Sequence, residues 1–300
     1  MTATRPKRII VTGGRGCLAS LLADHLCAPA HELSLFSRAP GPGFHGLEEL
    51  TRPAAYAATD TVLHLAWSTL PATSEQPPRT EWQQDLPLLE KMLGALTALP
   101  DRERPHFVFF SSGGTVYGNA PGRPNLETDP CQPIGWYGRA KRAAEEMIQA
   151  HATRHNLPCT ILRISNPYGF PVQKSRRQGL IPHALRCAVE GQPLTLWGDG
   201  SARKDFLYYT DFLSALDQVL ARRLAGTFNL GVGESHSVRE VIALAEKHTG
   251  RTVLLQSIAA PAWDVHDSRV DVARFASATG WRPQVTLDEG IRRSAGGYAG

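Results

Sequence analysis

The sequence is poor in the features that mark secreted, membrane and metal-binding proteins. It has five cysteines in 300 residues, widely spaced and without a Cys-x-x-Cys pair. This pattern argues against a disulfide framework or a zinc site and predicts reduced thiols in a cytoplasmic protein. No apolar run approaches the roughly 18 residues of a membrane span, and no apolar signal-peptide region is visible. We therefore expect no metal and no membrane partner.

One-sided charge is also missing. The 32 Lys and Arg residues against 28 Asp and Glu residues leave a formal net charge of +4, with no long charged run. This balance predicts no nucleic-acid partner and remains compatible with anionic small molecules. A short basic loop at residues 174–177 is expected to be mainly solvated.

The first half of the chain alternates short β-branched runs with helical segments. Strands are predicted at residues 7–12, 32–37, 61–66, 107–110 and 159–164, and helices at 20–26, 82–99 and 137–155. Residues 39–58 lack a clear period and are predicted to be mostly loop. This alternation indicates an α/β fold with a doubly wound parallel Rossmann sheet.

The second half is less regular. Helices are predicted at residues 180–190, 210–223 and 238–250, with a strand at 226–231 that returns to the main sheet. An extended stretch at 252–258 and two short helices from 272 and 287 complete the chain. We predict a nucleotide-binding domain of residues 1–166 plus about 210–235. Residues of about 167–209 plus 236–300 would form a smaller substrate-binding lid.

Two local patterns carry chemistry. Gly13-Gly-Arg-Gly16 lies directly between the first strand and the first helix, where backbone N–H groups and a helix N-terminus can hold a phosphate. Tyr137 and Lys141 are four residues apart on one helical face. A nearby ammonium favours the phenolate, so this pair predicts an acid/base for an alcohol or a ketone.

Six motifs in order resemble a known family: Thr12-Gly-Gly-x-Gly16, His64-Leu-Ala66, Ser111-Ser-x-x-x-Val-Tyr-Gly118, Tyr137-x-x-x-Lys141, Arg163-x-x-Asn166-Pro-x-Gly169 and Trp197-Gly-Asp-Gly200. Together they are similar to an extended short-chain dehydrogenase/reductase of the nucleotide-sugar epimerase/dehydratase type. The similarity runs from about residue 8 to Arg293. It implies a Rossmann protein that binds NAD or NADP and acts on a nucleoside-diphosphate sugar. His64 itself, in mid-strand, is interpreted as a packed core residue and not a catalyst.

The resemblance assigns a set of residues to the cofactor: Gly13, Arg15, Gly16, Cys17, Leu18, Ser37, Arg38, Leu65, Ala66, Trp67, Ser111, Tyr137 and Lys141. The end of the second strand distinguishes the two cofactors, because NAD-dependent relatives commonly carry an Asp there. Ser37-Arg38, with Arg15 nearby, would accommodate a 2′-phosphate, which favours NADP over NAD. Alternatively, Arg38 stacks on adenine or is solvated. The segment before Asp60 is judged too short for the strand that relatives carry there.

The catalytic hydroxyl departs from the family pattern. The family's Ser or Thr aligns with Gly113, so Ser112, or else Thr115, is expected to bridge the sugar hydroxyl; both could instead only satisfy backbone groups in a turn. The Asp-Glu pair that relatives use to eliminate water aligns with Gly114 and Thr115. Without two carboxylates there, the sequence argues against a 4,6-dehydratase.

Substrate contacts match the family in part. Those implied are Ser112, Asn166, Leu180, Ile181, Leu196, Arg203, Lys204, Asp264 and Arg269. Lys204 stands where relatives carry an arginine, and lysine lacks the planar fork of a guanidinium. Arg269 is expected to compensate for a second missing arginine near residue 260.

The main functional hypothesis is a 4-epimerase of a UDP-hexose or UDP-N-acetylhexosamine that works through a transient 4-keto sugar. The alternatives are an NADPH-dependent 4-ketoreductase and, from another class, a non-catalytic NAD(P)-sensing regulator. The resemblance also implies a homodimer formed by the helices at residues 82–99 and 137–155.

Overall fold

The structure is a computed structural model that describes residues 5–27, 29–77, 79–120, 122–171 and 179–298. The basic loop predicted at residues 174–177 lies outside these residues. In chain order, the strands of the described residues are β1 (Lys7–Thr12), β2 (His31–Ser37), β3 (His45–Gly46), β4 (Thr61–His64), β5 (His106–Ser112), β6 (Cys159–Ile164), β7 (Asn166–Tyr168), β8 (Leu194–Trp197), β9 (Arg203–Lys204), β10 (Phe206–Tyr208), β11 (Gly226–Leu230), β12 (His236–Ser237), β13 (Leu255–Ile258) and β14 (Asp267–Ser268).

The α-helices of the same residues are α1 (Cys17–Leu26), α2 (Pro71–Ser74), α3 (Leu86–Thr97), α4 (Trp136–His155), α5 (Leu180–Glu190), α6 (Tyr209–Arg222), α7 (Val238–Thr249), α8 (Ala273–Thr279) and α9 (Leu287–Gly296). A π-helical turn, Glu81–Asp85, runs directly into α3. Within these ranges, no helix has both the length and the apolar character needed to cross a membrane.

A seven-stranded parallel sheet, in the order β11-β6-β5-β4-β1-β2-β3, confirms the predicted doubly wound α/β fold. β1 pairs with β2 on one side, from Lys7 opposite His31 onward, and with β4 on the other. Because the strands are parallel, their carboxyl ends share one edge, where open α/β sheets bind ligands. The predicted return of the strand near residue 226 to this sheet is also confirmed.

The segment between β2 and Asp60 corrects the sequence analysis. The sequence predicts a loop too short for a strand, yet β3 pairs in parallel with the end of β2, with His45 opposite Phe36. Two 3₁₀ turns, Leu47–Thr51 and Pro53–Tyr56, follow. A two-residue strand is stabilised by its neighbour and not by its own propensity, and 3₁₀ turns lack the helical 3.6 period. Neither the short strand nor the 3₁₀ turns can therefore be predicted from a periodic sequence pattern.

The contacts divide the chain into two compact units. The first comprises residues 1–111, 135–162 and 217–228, and the second comprises residues 112–134, 163–216 and 229–300. The core of the first unit includes Val62, Leu89, Phe107 and Ile161. The second unit has its own core, in which α5, α7 and α9 supply Leu185, Val241 and Ile291. The division of labour between a cofactor domain and a substrate domain stays a prediction.

Candidate active site

The glycine turn at the end of β1 packs too tightly against protein backbone to carry side chains at Gly13 and Gly16. Gly13 has a φ of +73°, and a Cβ on it would lie 3.0 Å from the Ala66 nitrogen. A Cβ on Gly16 would lie 2.9 Å from the Gly13 carbonyl oxygen. Helix α1 begins at the next residue, Cys17, so the first-turn N–H groups of Cys17 and Leu18 have no intrahelical acceptor. These observations fit the pyrophosphate of a dinucleotide.

The neighbouring strand end is tied to this turn by Thr12. Its Oγ1 accepts hydrogen bonds from the N–H groups of Leu65 (3.1 Å) and Ala66 (3.0 Å), and it lies 3.0 Å from Nδ1 of His64. His64 is 2% exposed, and its ring stacks on Phe107 and Phe109. Burial lowers the pKa of His64 to about 3, with Lys141 adding to the effect. These contacts confirm His64 as a neutral core residue.

The three residues predicted to choose between NAD and NADP all make internal contacts. The Ser37 hydroxyl accepts the N–H of Ala39 at 3.3 Å. Arg15 donates from Nε to the Ala39 carbonyl at 3.0 Å, and its guanidinium lies 4.3 Å from the ring centroid of Phe44. Arg38 donates to the Ser68 hydroxyl. The loop after the second strand is therefore held by Arg15, from the turn after β1, and by its own Arg38.

Tyr137 lies in the first turn of α4, and several groups fix that turn. The Trp136 N–H donates to a Glu75 carboxylate oxygen at 2.7 Å, which satisfies an unpaired donor with a negative charge at the positive end of the helix. The Arg79 guanidinium lies 3.8 Å from the Trp136 ring centroid. The start of α4, and with it the Tyr137 backbone, is therefore rigidly placed.

Lys141 lies one turn further along α4 and is almost completely buried, at 4% exposed. Its Nζ donates to the Phe110 carbonyl at 2.9 Å and lies 3.8 Å from the ring centroid of Trp67 and 5.8 Å from that of Tyr137. The structure thus brings Trp67 together with Tyr137 and Lys141, the pair that the sequence places on one helical face. Burial lowers the pKa of Lys141 to about 7, against the opposing charges of Asp85 and Glu145.

The protonation of Tyr137 corrects the sequence analysis. The spacing predicts that the nearby lysine lowers the pKa of the phenol. Instead, burial raises the pKa of Tyr137 well above its usual value, and the carboxylates Glu81 and Asp85 raise it further. Both carboxylates belong to the π-helical turn ahead of α3, and both are buried. Sequence spacing shows the cation on the same helix but not the anions that tertiary packing adds.

The Ser111 hydroxyl, assigned to the cofactor, donates to Oε1 of Glu145 at 2.6 Å. Glu145 is completely buried on α4, one turn beyond Lys141, and also contacts Arg142 at 3.3 Å. The Ser111 hydrogen bond and the positive charge of Arg142 offset part of the cost of burying the Glu145 carboxylate. The helical period, Lys141 plus four, could have identified this residue from the sequence.

In the second unit, packing explains the glycine at position 113. A Cβ there would lie 2.8 Å from the Arg163 carbonyl oxygen and 2.9 Å from Val270, so no side chain fits. A Cβ at Gly114 would lie in ordinary contact with the Asn166 amide at 3.7 Å and the Ser112 hydroxyl at 3.9 Å. Ser112 and Asn166 therefore both lie close to Gly114. The Thr115 hydroxyl is buried without a hydrogen-bond partner.

Asn166 is positioned by Asp205. Its backbone N–H and its side-chain Nδ2 donate to the Asp205 carbonyl at 3.0 and 2.9 Å. The Asp205 carboxylate in turn accepts the N–H groups of Val232 and Gly233 at 2.9 and 3.0 Å. Burial raises the pKa of Asp205 to about 6, although these hydrogen bonds act to lower it.

The remaining substrate-side candidates are occupied by contacts within the second unit. Lys204 pairs with Asp264 at 2.9 Å and also donates to the Val265 carbonyl. Arg203 pairs with Glu240 at 3.2 Å, and Arg269 pairs with Asp267 at 3.3 Å. Ile181 and Leu196 are core residues at 1% exposed, and Leu180 packs against the same core. Their roles towards a nucleotide stay predictions.

Within the described ranges, no group of three or more His, Cys, Asp or Glu side chains is arranged to hold a metal ion.

Two polar residues beside the predicted site have no role assigned from the sequence. Ser68 and Asp85 share two hydrogen bonds of 2.7 Å, one from the Ser68 N–H and one from its hydroxyl. The two residues lie 17 positions apart, outside any helical or strand period, so the sequence pattern does not pair them.

Comparison with known proteins identifies relatives along almost the entire chain. The model of the NAD dependent epimerase/dehydratase family matches residues 9–231. A UDP-glucose 4-epimerase from Mycolicibacterium smegmatis is 26% identical, over 96% of this chain and 97% of its own. A dTDP-glucose 4,6-dehydratase from Neisseria gonorrhoeae is 28% identical, over 97% of this chain and 95% of its own.

A solved structure agrees with these sequence relatives. The UDP-glucose 4-epimerase of Thermus thermophilus, crystallised in complex with NAD, superposes with a TM-score of 0.86 at 25% identity. The match covers 98% of this chain and 99% of that one. The fold is therefore that of a nucleotide-sugar enzyme, while relatives of similar identity differ in their reactions.

Proposed function

The chain belongs to the NAD dependent epimerase/dehydratase family, and we propose from this premise that it is a nucleotide-sugar 4-epimerase. The observation that carries the proposal is the Tyr137–Lys141 pair, packed against Trp67 at the start of α4. The substrate would be a UDP-hexose or a UDP-N-acetylhexosamine, whose C4 configuration is inverted through a 4-keto sugar.

The glycine turn at Gly13 and Gly16 would hold the dinucleotide, together with the first-turn N–H groups of α1. When bound in its oxidised form, the dinucleotide supplies a hydride acceptor and a positive charge that favours a phenolate. In the oxidative half of the reaction, Tyr137 removes the proton of the 4-hydroxyl. In the reductive half it returns a proton to the ketone oxygen. Lys141 donates to the Phe110 carbonyl and would keep an exchangeable proton near the phenol.

Ser112 and Asn166 would contact the substrate. The Ser112 hydroxyl and the Asn166 amide both lie close to Gly114, and Asn166 is fixed through Asp205. Gly114 and Thr115 stand where a 4,6-dehydratase of this family carries its Asp-Glu pair. The absence of that pair from these positions supports epimerisation over loss of water.

One observation favours a second candidate, an NADPH-dependent 4-ketoreductase. Burial and two carboxylates raise the pKa of Tyr137, which keeps it a neutral phenol and thus a proton donor. Reduction of a ketone needs only the donor, whereas an epimerase must also use the phenolate. The two candidates differ in whether the cofactor is consumed.

Incubation of the purified protein with UDP-glucose, and separately with UDP-N-acetylglucosamine, tests the proposal by NMR detection of the 4-epimer. We expect product without added cofactor. Tyr137→Phe should reduce the rate by at least about a hundredfold, because the acid/base group is lost. Tyr56→Phe is a matched control, since the Tyr56 hydroxyl donates to the Leu50 carbonyl at 2.7 Å within the two 3₁₀ turns that follow β3.

Three results would contradict the epimerase proposal. Turnover that requires stoichiometric NADPH and a 4-keto substrate would identify a ketoreductase. Full activity in Tyr137→Phe would remove the proposed acid/base. A protein that binds dinucleotide but turns over no UDP-sugar would revive a sensing role.

We also propose a homodimer formed through α3 and α4, on the strength of the family resemblance. Trp82, in the turn before α3, is 37% exposed and would be covered in such a dimer. Light scattering on the protein as it elutes from a size-exclusion column should give twice the chain mass of 32.7 kDa. A monomer mass would refute the proposed dimer.

A further inference from the structure

A hydrogen-bonded chain connects the end of β2 to the π-helical turn before α3. Arg38, the residue after β2, donates from Nη1 to the Ser68 hydroxyl. That hydroxyl donates to Oδ1 of Asp85 at 2.7 Å, and the Ser68 N–H donates to Oδ2 at 2.7 Å. Ser68 therefore satisfies both oxygens of one carboxylate while it accepts from the arginine. We call Arg38, Ser68 and Asp85 the arginine latch.

The latch runs from the exposed Arg38 to a buried carboxylate, that of Asp85. Asp85 is 6% exposed, and a buried carboxylate needs compensating charge. Burial raises the pKa of Asp85, while the Ser68 hydrogen bonds and the charges of Arg38 and Lys141 act to lower it. Lys141 is itself held on Phe110 and Trp67. Arg38 is thus one of two cations that compensate Asp85.

The position of Arg38 gives the latch a consequence for ligand choice. In a Rossmann fold, the residues after the second strand meet the adenosine ribose, and an arginine there accommodates a 2′-phosphate. A 2′-phosphate would have to compete with Ser68 for the Arg38 guanidinium. It would also bring negative charge towards the Asp85 carboxylate, and like charges repel. The other nearby arginine, Arg15, already contacts Ala39 and Phe44.

We propose that Asp85, acting through Ser68, withholds Arg38 from an adenosine 2′-phosphate, so that this chain selects NAD over NADP. The inference rests on the proposed function only in requiring a bound dinucleotide, and it reverses the preference that Ser37-Arg38 suggests in the sequence. Asp85 and Ser68 are specificity-determining residues in this account. Neither has to touch the dinucleotide.

Competition binding tests the latch without using turnover. The full chain is equilibrated with equimolar NAD and NADP and separated from free ligand. It is then denatured, and the released dinucleotides are quantified by chromatography. The wild-type protein should retain mainly NAD. Ser68→Ala, which keeps both charges but breaks the chain between them, should shift the ratio towards NADP by about tenfold, the effect of one charge-assisted hydrogen bond.

Asp85→Asn should shift the ratio in the same direction, because it removes the charge that holds Arg38. In both backgrounds Arg38→Ala should abolish the shift, since no cation is then released to the phosphate. Arg8→Ala is a matched control. Arg8 pairs with Glu32 at 3.0 Å near the first residues of β1 and β2, at the strand ends opposite to Arg38. The ratio of bound NAD to NADP should therefore not change.

The outcomes separate this inference from the function on which it rests. If the wild-type protein retains mainly NADP, or if neither Ser68→Ala nor Asp85→Asn moves the ratio by more than twofold, the latch is refuted while the 4-epimerase proposal stands. A shift that persists without Arg38 would also refute it. Retention of neither dinucleotide would overturn the proposed function and the latch together. Circular dichroism confirms that each variant is folded before its ratio is counted.

Discussion

Replacing Lys141 by methionine should stabilise the protein and inactivate it. Lys141 is 4% exposed, and its pKa falls from the usual 10.5 to about 7. Methionine has a similar length and carries no charge, so it fills the same space without the cost of desolvating an ammonium. Functional groups held at the expense of stability are common in active sites.

The magnitude follows from linkage. The pKa difference between 10.5 and about 7, at about 1.4 kcal/mol for each pH unit, puts the cost of a charged Lys141 on the order of 5 kcal/mol. Methionine loses the hydrogen bond to Phe110 and the contact with the Trp67 ring. We therefore expect a net gain of roughly 2–4 kcal/mol near pH 7.

The sign of the pH dependence is specific. Between about pH 7 and 10.5 the unfolded chain binds the Lys141 proton and the folded chain does not, so folding of the wild type is favoured as the pH rises through this window. Below about pH 7 both states carry the proton, and the wild type bears the full cost. The stability advantage of Lys141→Met should therefore be greatest below pH 7 and fade towards pH 10.

Urea unfolding of both proteins at about pH 6, 7.5 and 9 measures this difference, because other titrating groups cancel between them. Lys247→Met is the matched control. Lys247 is 60% exposed and pairs with Asp288 at the surface, so its replacement should change stability by less than about 1 kcal/mol. A Lys141→Met protein that is less stable at pH 6, or whose advantage does not change with pH, would refute the reasoning.

Two further predictions concern the second unit. Tyr117→Phe should lower the free energy of unfolding by about 1–3 kcal/mol, because the buried Tyr117 hydroxyl donates to Asn229 at 2.7 Å and accepts from Arg163 at 2.8 Å. Urea unfolding checks it, and an unchanged midpoint would contradict it. Gly113→Ala should cost about 1–3 kcal/mol, since its Cβ would lie 2.8 Å from the Arg163 carbonyl. Gly114→Ala, with nothing nearer than 3.7 Å, should be close to neutral in the same measurement, and equal losses for both would disprove the steric argument.

Much of the fold could be predicted because its signals are local. The strand before the glycine turn, the helix that carries Tyr137 and Lys141, and the bounds of β6 and α5 each depend on a short run of residues with a clear period. The strand β3 could not be predicted, because its two residues have no period and depend on pairing with β2. The candidate site shows the same division. The spacing of Tyr137 and Lys141 could be predicted from the sequence, whereas the pKa shifts of the two side chains could not.

The sequence by itself determined the family, the parallel sheet and the spacing of Tyr137 and Lys141, because motifs and periods need only neighbours along the chain. The tertiary structure alone decided the electrostatics around that pair. It placed Glu81 and Asp85 beside Tyr137, buried Glu145 against Ser111, and joined Arg38 to Asp85 through Ser68. Desolvation and charge pairing act through space between residues far apart in sequence, and they reverse what a linear pattern predicts for the pKa of Tyr137.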